Sequence, residues 1–193
     1  MKLVVAIGGA SGAPYAQRLL EVLRNVPPEA VPGGLEIAVV FSDAGKQVWA
    51  HEVGTDPREL PFPRYGARDF SAPFASGSAG WEAMIVIPCS MGGLARIAQG
   101  ISGDLIGRAA DVMLKERRTL VLVVRETPYS LLHLENMERV TRAGAVVMPA
   151  SPSFYAKPAS VGALLDTVIS RALDHLRIKN QLHARWGTPP RED

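Results

Sequence analysis

Short, nearly continuous apolar runs alternate with amphipathic stretches almost from one end of the chain to the other. Leu3–Ile7, Leu35–Phe41, Met84–Ile87, Thr119–Val124 and Ala145–Met148 are runs of four to seven residues that lack a strand's apolar–polar alternation. Runs of this length and composition predict strands buried on both faces. Between them, apolar residues return at helical spacing. Helices are predicted over Tyr15–Val26, from Ser42-Asp43 toward Val53, from the Gly92-Gly93 turn to about Gln99, and over Asp104–Arg118, Leu131–Arg142 and Val161–Leu176. Pro14 suits a first helical turn, and Pro27-Pro28 stop that helix. Residues 54–80 are rich in Pro, Gly and Ser and show no period. Recognisable elements resume after them, so they predict a functional loop inside one domain rather than a linker.

A strand–helix alternation of this kind predicts an α/β fold: an open parallel sheet with helices on both faces, of the Rossmann-like (flavodoxin-like) class. The expected domain is 1–193, with a loop at about 54–80 and a C-terminal tail at about 178–193. Right-handed crossovers put the loops after successive strands along one edge. Those loops are Gly8–Gly12, Phe41–Ala44, Pro88–Gly93, Arg125–Ser130 and Pro149–Pro158, and all five carry small, hydroxyl or charged residues. Ligands of open α/β sheets sit at this carboxyl edge. Gly8-Gly9-Ala10-Ser11-Gly12 lets the backbone come close to a ligand at a helix start, but it has neither a P-loop ending nor the full Gly-x-Gly-x-x-Gly pattern. Ser42 and Ser90 can cap helices, bind a ligand, or do both. Cys89 has no histidine near it in sequence and is expected to be a buried small residue.

Arg125-Glu126 falls where the fourth apolar run stops. Arginine offers a planar fork for phosphate, and the adjoining glutamate can carry a proton. An isolated pair of this kind is ordinarily a surface ion pair; five convergent loops favour a site instead. Arg108 and Lys115, seven apart, share one helix face, with Asp111 between them to neutralise part of the charge. Lys115 draws weight from preceding the strand that delivers Arg125 and Glu126. Tyr155, after the last apolar run, can hydrogen-bond a phosphate, whereas Arg171 on the last helix reads as a surface ion pair.

The totals remove several classes. With 193 residues, 47% hydrophobic and 21% charged, the chain suits one globular domain. A net charge of +2 is no basic stripe for nucleic acid, and no apolar run is long enough to span a membrane. The N-terminal apolar run enters a glycine turn at once and does not read as a signal peptide. One cysteine excludes an intrachain disulfide and fits a reducing cytoplasm. Four scattered histidines show no metal-ligand spacing, so no metal is expected.

The ordered segments Gly9–Ala13, Cys89-Ser90-Met91, Arg108–Arg118, Arg125-Glu126-Thr127-Pro128, His133–Met137, Gly144–Pro149, Phe154-Tyr155 with Lys157-Pro158, and Ala184-Arg185-Trp186 resemble the UbiX-type flavin prenyltransferases. These belong to the wider superfamily of homo-oligomeric flavin-containing Cys decarboxylases. The resemblance covers nearly the whole chain and is weakest at 54–69 and in the last few residues. It implies that a dimethylallyl group is joined from dimethylallyl phosphate to N5 and C6 of reduced FMN, without a metal, to make prenylated FMN for a UbiD-type decarboxylase. It assigns FMN binding to Gly9, Ala10, Ser11, Ser42, Ser90, Met91, Gly92, Gly93 and Arg125. Ser11 and Glu52 are implied to manage the flavin N5 proton. Lys115, Arg125, Glu126, Tyr155 and Arg171 are implied to hold the prenyl phosphate, and Glu126 to protonate it as it leaves. The Ala75–Ser78 turn is implied to lie at a subunit interface of a homo-oligomer, expected to be a dodecamer, and Trp186 to close the site from a neighbouring tail. Two positions depart from the pattern: Gly93 stands where many members have threonine, and Phe70 where some have tryptophan. Ubiquinone synthesis and phenolic acid breakdown are both open as pathways.

Two other functions fit the same fold. An FMN-dependent cysteine decarboxylase would rely on a catalytic histidine and an Asn/Met-rich substrate motif, where this chain has Glu52 and the Lys115, Arg125, Glu126, Tyr155 set. A non-enzymatic flavin carrier would have no need of cations beyond those for the flavin's own phosphate.

Overall fold

A computed structural model describes residues 1–183. Six strands, β1 (Lys2–Ile7), β2 (Glu36–Phe41), β3 (Arg64–Tyr65), β4 (Ala83–Cys89), β5 (Thr119–Val124) and β6 (Val146–Pro149), form one sheet in the order β3-β2-β1-β4-β5-β6. Every pairing is parallel. The order reverses at β1, so the crevice beside β1 and β4 is the switch point of the sheet.

Six helices cover it: α1 (Ala13–Arg24), α2 (Asp43–Glu52), α3 (Met91–Ala98), α4 (Leu105–Lys115), α5 (Leu131–Arg142) and α6 (Val161–His175). Strand alternation divides the core into two layers. Leu3, Val5 and Ile7 of β1 join Leu19, Leu20 and Leu23 of α1 and Ile169 and Leu173 of α6. Val4 and Ala6 turn to the other face, with Leu94 of α3 and Ala109, Ala110 and Met113 of α4. Full burial of such a side chain stabilises by about 1.5–3 kcal/mol, and both faces of the central strands are covered. Arg18 of α1 makes a bidentate pair with Asp166 of α6, at 2.7 and 2.9 Å, which ties these helices together.

Three expectations need correction. Residues 54–80 contain an edge strand, β3, and short 3-10 turns at Pro57–Glu59, Pro73–Ala75 and Gly77–Ala79. A strand of two residues is too short to show a period; pairing with Val39 and Val40 creates it. The first helix is displaced by two residues, to 13–24, because Pro14 lies at its first positions. The fourth ends at Lys115, not Arg118, since Arg117 takes a left-handed φ of 56°.

Candidate functional site

Backbone hydrogen bonds stitch the carboxyl-edge loops to one another. Ser42 N–H donates to Ile7 O at 3.0 Å, Gly8 N–H to Pro88 O at 3.1 Å, Arg125 N–H to Cys89 O at 3.1 Å and Ala150 N–H to Val124 O at 2.8 Å. The loops form one surface rather than independent arms. A Cβ on Gly9 would overlap that of Ala44, so only glycine lets the first loop lie against α2. Gly12 takes φ 116° at the start of α1, a conformation open to glycine.

In that surface lies a cleft lined by Gly8, Gly9, Ser42, Cys89, Ser90, Gly93, Arg96, Asp104 and Gly107, among others. Three helices begin around it. Ser42 Oγ accepts from Gly45 N–H at 2.9 Å, Ser90 Oγ from Gly93 N–H at 3.2 Å, and Asp104 Oδ1 from Gly107 N–H at 2.8 Å. A capping hydroxyl still has its own proton to donate, so Ser42 and Ser90 can cap and bind together. Met91 buries its side chain in the core and is not among the residues lining the cleft. Gly92 is exposed and a Cβ there would meet nothing within 4 Å, which leaves room for a ligand at the first turn of α3. Free N–H groups at helix starts, two hydroxyls and one arginine make a donor set for a phosphate. This donor set fits the phosphate end of FMN.

At the mouth, a second group of residues is knitted together. Glu52, the last residue of α2, accepts the backbone N–H of both Gly12 and Ala13 at 2.8 Å. It serves as the cap that Gly12 cannot supply for α1. Burial alone would raise its pKa. The Ser11 hydroxyl, the two N–H groups and the Arg125 charge outweigh burial and hold the carboxyl below its ordinary range. Arg125 Nε donates to Ser11 O at 3.0 Å, so β5 and the first loop are tied across the switch point. Ser11 is exposed, while Ala10 beneath it is buried. Glu126 turns one oxygen to Thr127 N–H at 3.0 Å. Tyr155 stands exposed on the loop after β6, at the same edge.

Lys115 and Arg171 are elsewhere. Lys115 ends α4 ahead of β5, so it sits at the amino edge of the sheet, paired with Glu116 at 2.5 Å. The length of β5, roughly 20 Å, separates it from Arg125. Nearness in sequence does not bring the two together within one chain, because the strand that connects them also holds them apart. Arg171 is ten residues past Val161, roughly 15 Å down α6 from the carboxyl edge, and pairs with Asp174 at 2.7 Å. Trp186 lies outside the described residues. Around Lys115, Arg118 donates to Gly77 O at 2.8 Å and Arg108 to Ala75 O at 2.9 Å, so the Ala75–Ser78 turn packs on α4. Phe70 is half exposed.

Arg96, Asp104 and Gly107 were not expected at the site. Arg96 reaches it from α3 itself, and Asp104 and Gly107 reach it because the chain doubles back through residues 99–104, so that α4 begins beside α3. Asp104 with a glycine three residues later was a legible cap signal, but nothing in sequence showed where that cap would lie. Cys89 is fully buried and its thiol is pushed up to about 12, chiefly by burial, which makes it inert. His133 is engaged in the capping box of α5, with Nδ1 accepting from Ser130 N–H at 3.2 Å. Among the described residues no group of three or more His, Cys, Asp and Glu gathers as metal ligands, and no helix is long and apolar enough to cross a membrane.

The Flavoprotein family model matches residues 1–173. A flavin prenyltransferase UbiX of Methanocaldococcus jannaschii is 44% identical over 191 residues, covering 97% of this chain and 100% of the relative. A crystal structure of AnUbiX (PadA1) in complex with FMN and dimethylallyl pyrophosphate superimposes with a TM-score of 0.90 at 42% identity and covers 98% of each chain. A dodecameric FMN-dependent Ubix-like decarboxylase from Escherichia coli O157:H7 also gives 0.90, at 40% identity over 97% of this chain and 100% of that one. The likeness covers nearly the whole chain, and on it the chain belongs to the Flavoprotein family and, within that, to the UbiX-type flavin prenyltransferases.

Proposed function

We propose that this protein transfers a dimethylallyl group from dimethylallyl phosphate to N5 and C6 of reduced FMN, releasing phosphate and yielding prenylated FMN for a UbiD-type decarboxylase. The observation that carries the reading is the Ser11–Glu52–Arg125 network at the mouth of a phosphate-fitting cleft. The reduced flavin supplies the nucleophile; the chain's own residues bind, orient and move protons. Gly9, Ala10, Ser42, the Ser90–Gly93 turn and Arg125 hold FMN. Ser11, backed by the ionised Glu52, holds a proton position beside the ring, because Glu52 anchors the loop that carries it. Glu126 gives a proton to the departing phosphate. Positive charge from Arg125, Lys115 and Arg171, with the Tyr155 hydroxyl, stabilises the negative charge that builds on that group.

Lys115 and Arg171 are distant from Arg125 within one chain, so this reading requires an oligomer in which neighbouring subunits deliver them, and we propose a dodecamer. The exposed Leu131, Leu132, Leu134 and Phe154 near the site would then be interface. We place the protein in the cytoplasm, where a free thiol stays reduced. The cysteine-decarboxylase alternative loses support from Glu52, a carboxylate that anchors the first loop at the mouth of the cleft. Light scattering on the purified protein and identification of the flavin released on denaturation test this reading. A dodecamer carrying FMN is expected; a monomer with full activity, or a released dinucleotide, would refute it.

A further inference from the structure

Arg96 is the one basic side chain lining the cleft among the described residues, and neither the sequence pattern nor the resemblance gave it a role. It lies on α3, three residues after Gly93 and six after the Ser90 cap. Long helical side chains lean back toward the helix N-terminus, which for α3 is the cleft. The lean has an electrostatic trace: the Arg96 charge reaches the buried Cys89 thiol at the end of β4, where it opposes the effect of burial. Its nearest anion, Asp104 Oδ2, is 3.9 Å from Nη2, too far for a hydrogen bond, and the other oxygen of Asp104 is spent capping Gly107. The guanidinium thus stands beside two serine hydroxyls and three helix starts with its fork unfilled by any close carboxylate. A Cβ on Gly93, one turn back, would meet nothing nearer than Ser90 Oγ at 3.4 Å. A chain with a hydroxyl missing at position 93 has a longer, charged donor one turn along the same face.

We propose that Arg96 is a cofactor-binding residue that clamps the phosphate of FMN, in place of the hydroxyl that Gly93 lacks. The inference rests on the flavin reading above. It also sets a preference: the cleft selects the phosphorylated flavin over riboflavin through this side chain.

The test is the affinity of the flavin-free protein for FMN and for riboflavin, by fluorescence quenching, with wild type, Arg96→Gln and Arg96→Lys. Arg96→Gln is expected to weaken FMN by about 10-fold or more and to leave riboflavin unchanged, since a hydrogen bond between charged groups is lost only for the phosphorylated ligand. Arg96→Lys should recover part of the loss, and the FMN preference of wild type should shrink with salt. An equal loss for both flavins would overturn the proposal by showing a structural role. Unchanged FMN affinity in Arg96→Gln would overturn it by showing that the side chain serves only Asp104. Wild type that binds neither flavin would instead overturn the flavin reading, a result distinct from both.

Discussion

Glu52 joins fold to function, and its replacement has a calculable cost. Its carboxylate meets two backbone N–H groups at 2.8 Å at a helix start whose own cap residue, Gly12, offers no side chain. Losing a capping acceptor costs about 0.5–2 kcal/mol, and losing a negative charge at a helix N-terminus about 0.3–1 kcal/mol. Glu52→Ala should therefore destabilise by about 2 kcal/mol. For a domain of this size that lowers the melting temperature by about 4–8 °C at fixed protein concentration. Glu52→Gln keeps an oxygen acceptor and loses the charge, so about half that drop is expected. The pKa of Glu52 is depressed in the folded state. Its ionic contribution is therefore fully present above the unfolded carboxyl range and is lost as pH falls through the folded value. The gap between wild type and Glu52→Gln should stay constant from pH 8 to about 5 and narrow below about 4.5, a window set by the ordinary glutamate range. Thermal melts of the three proteins across that pH series decide the matter. A Glu52→Ala melt within a degree of wild type, or a gap to Glu52→Gln that widens in acid, would refute the capping argument. Flavin affinity should fall in step, because the same loop carries Ser11.

Other consequences are more direct. Glu126→Gln should keep FMN binding and slow prenyl transfer by about 10²–10⁴, as expected for loss of a general acid, measured in single-turnover flavin spectra at saturating prenyl phosphate. Lys115→Ala should instead weaken prenyl phosphate binding and lose activity at limiting donor, yet mixed oligomers of Lys115→Ala and Glu126→Gln subunits should regain activity, because one intact site can draw each residue from a different chain; no recovery on unfolding and remixing would contradict shared sites. Cys89 should resist thiol reagents at neutral pH in the native protein and react on unfolding, given a fully buried thiol pushed up to about 12; rapid native labelling would show that β4 opens.

The strands and their carboxyl-edge loops were readable because doubly buried strands leave near-continuous apolar runs, and parallel connections force their loops to one edge. Arg125 and Glu126 could be placed for that reason alone. β3 could not, since its two residues are strand by virtue of a neighbour. Asp104 was hidden by a reversal at 99–104 that brings α4 back to the edge where α3 began, and Arg96 because it lies beyond the loop, within α3 itself. The Glu52 cap was hidden as well. Glycine-rich starts usually signal backbone binding, and the acceptor that satisfies this one lies forty residues away on another helix. Lys115 is close in sequence to Arg125, yet the length of β5 separates the two within one chain.

Anaerobic incubation of the purified protein with reduced FMN and dimethylallyl phosphate, followed by mass spectrometry of the extracted flavin, tests the central claim most directly. The account predicts an FMN heavier by one C5H8 unit, formed in step with release of inorganic phosphate and without added metal. Recovery of unmodified FMN under saturating prenyl phosphate, with the flavin bound and the oligomer intact, would contradict it.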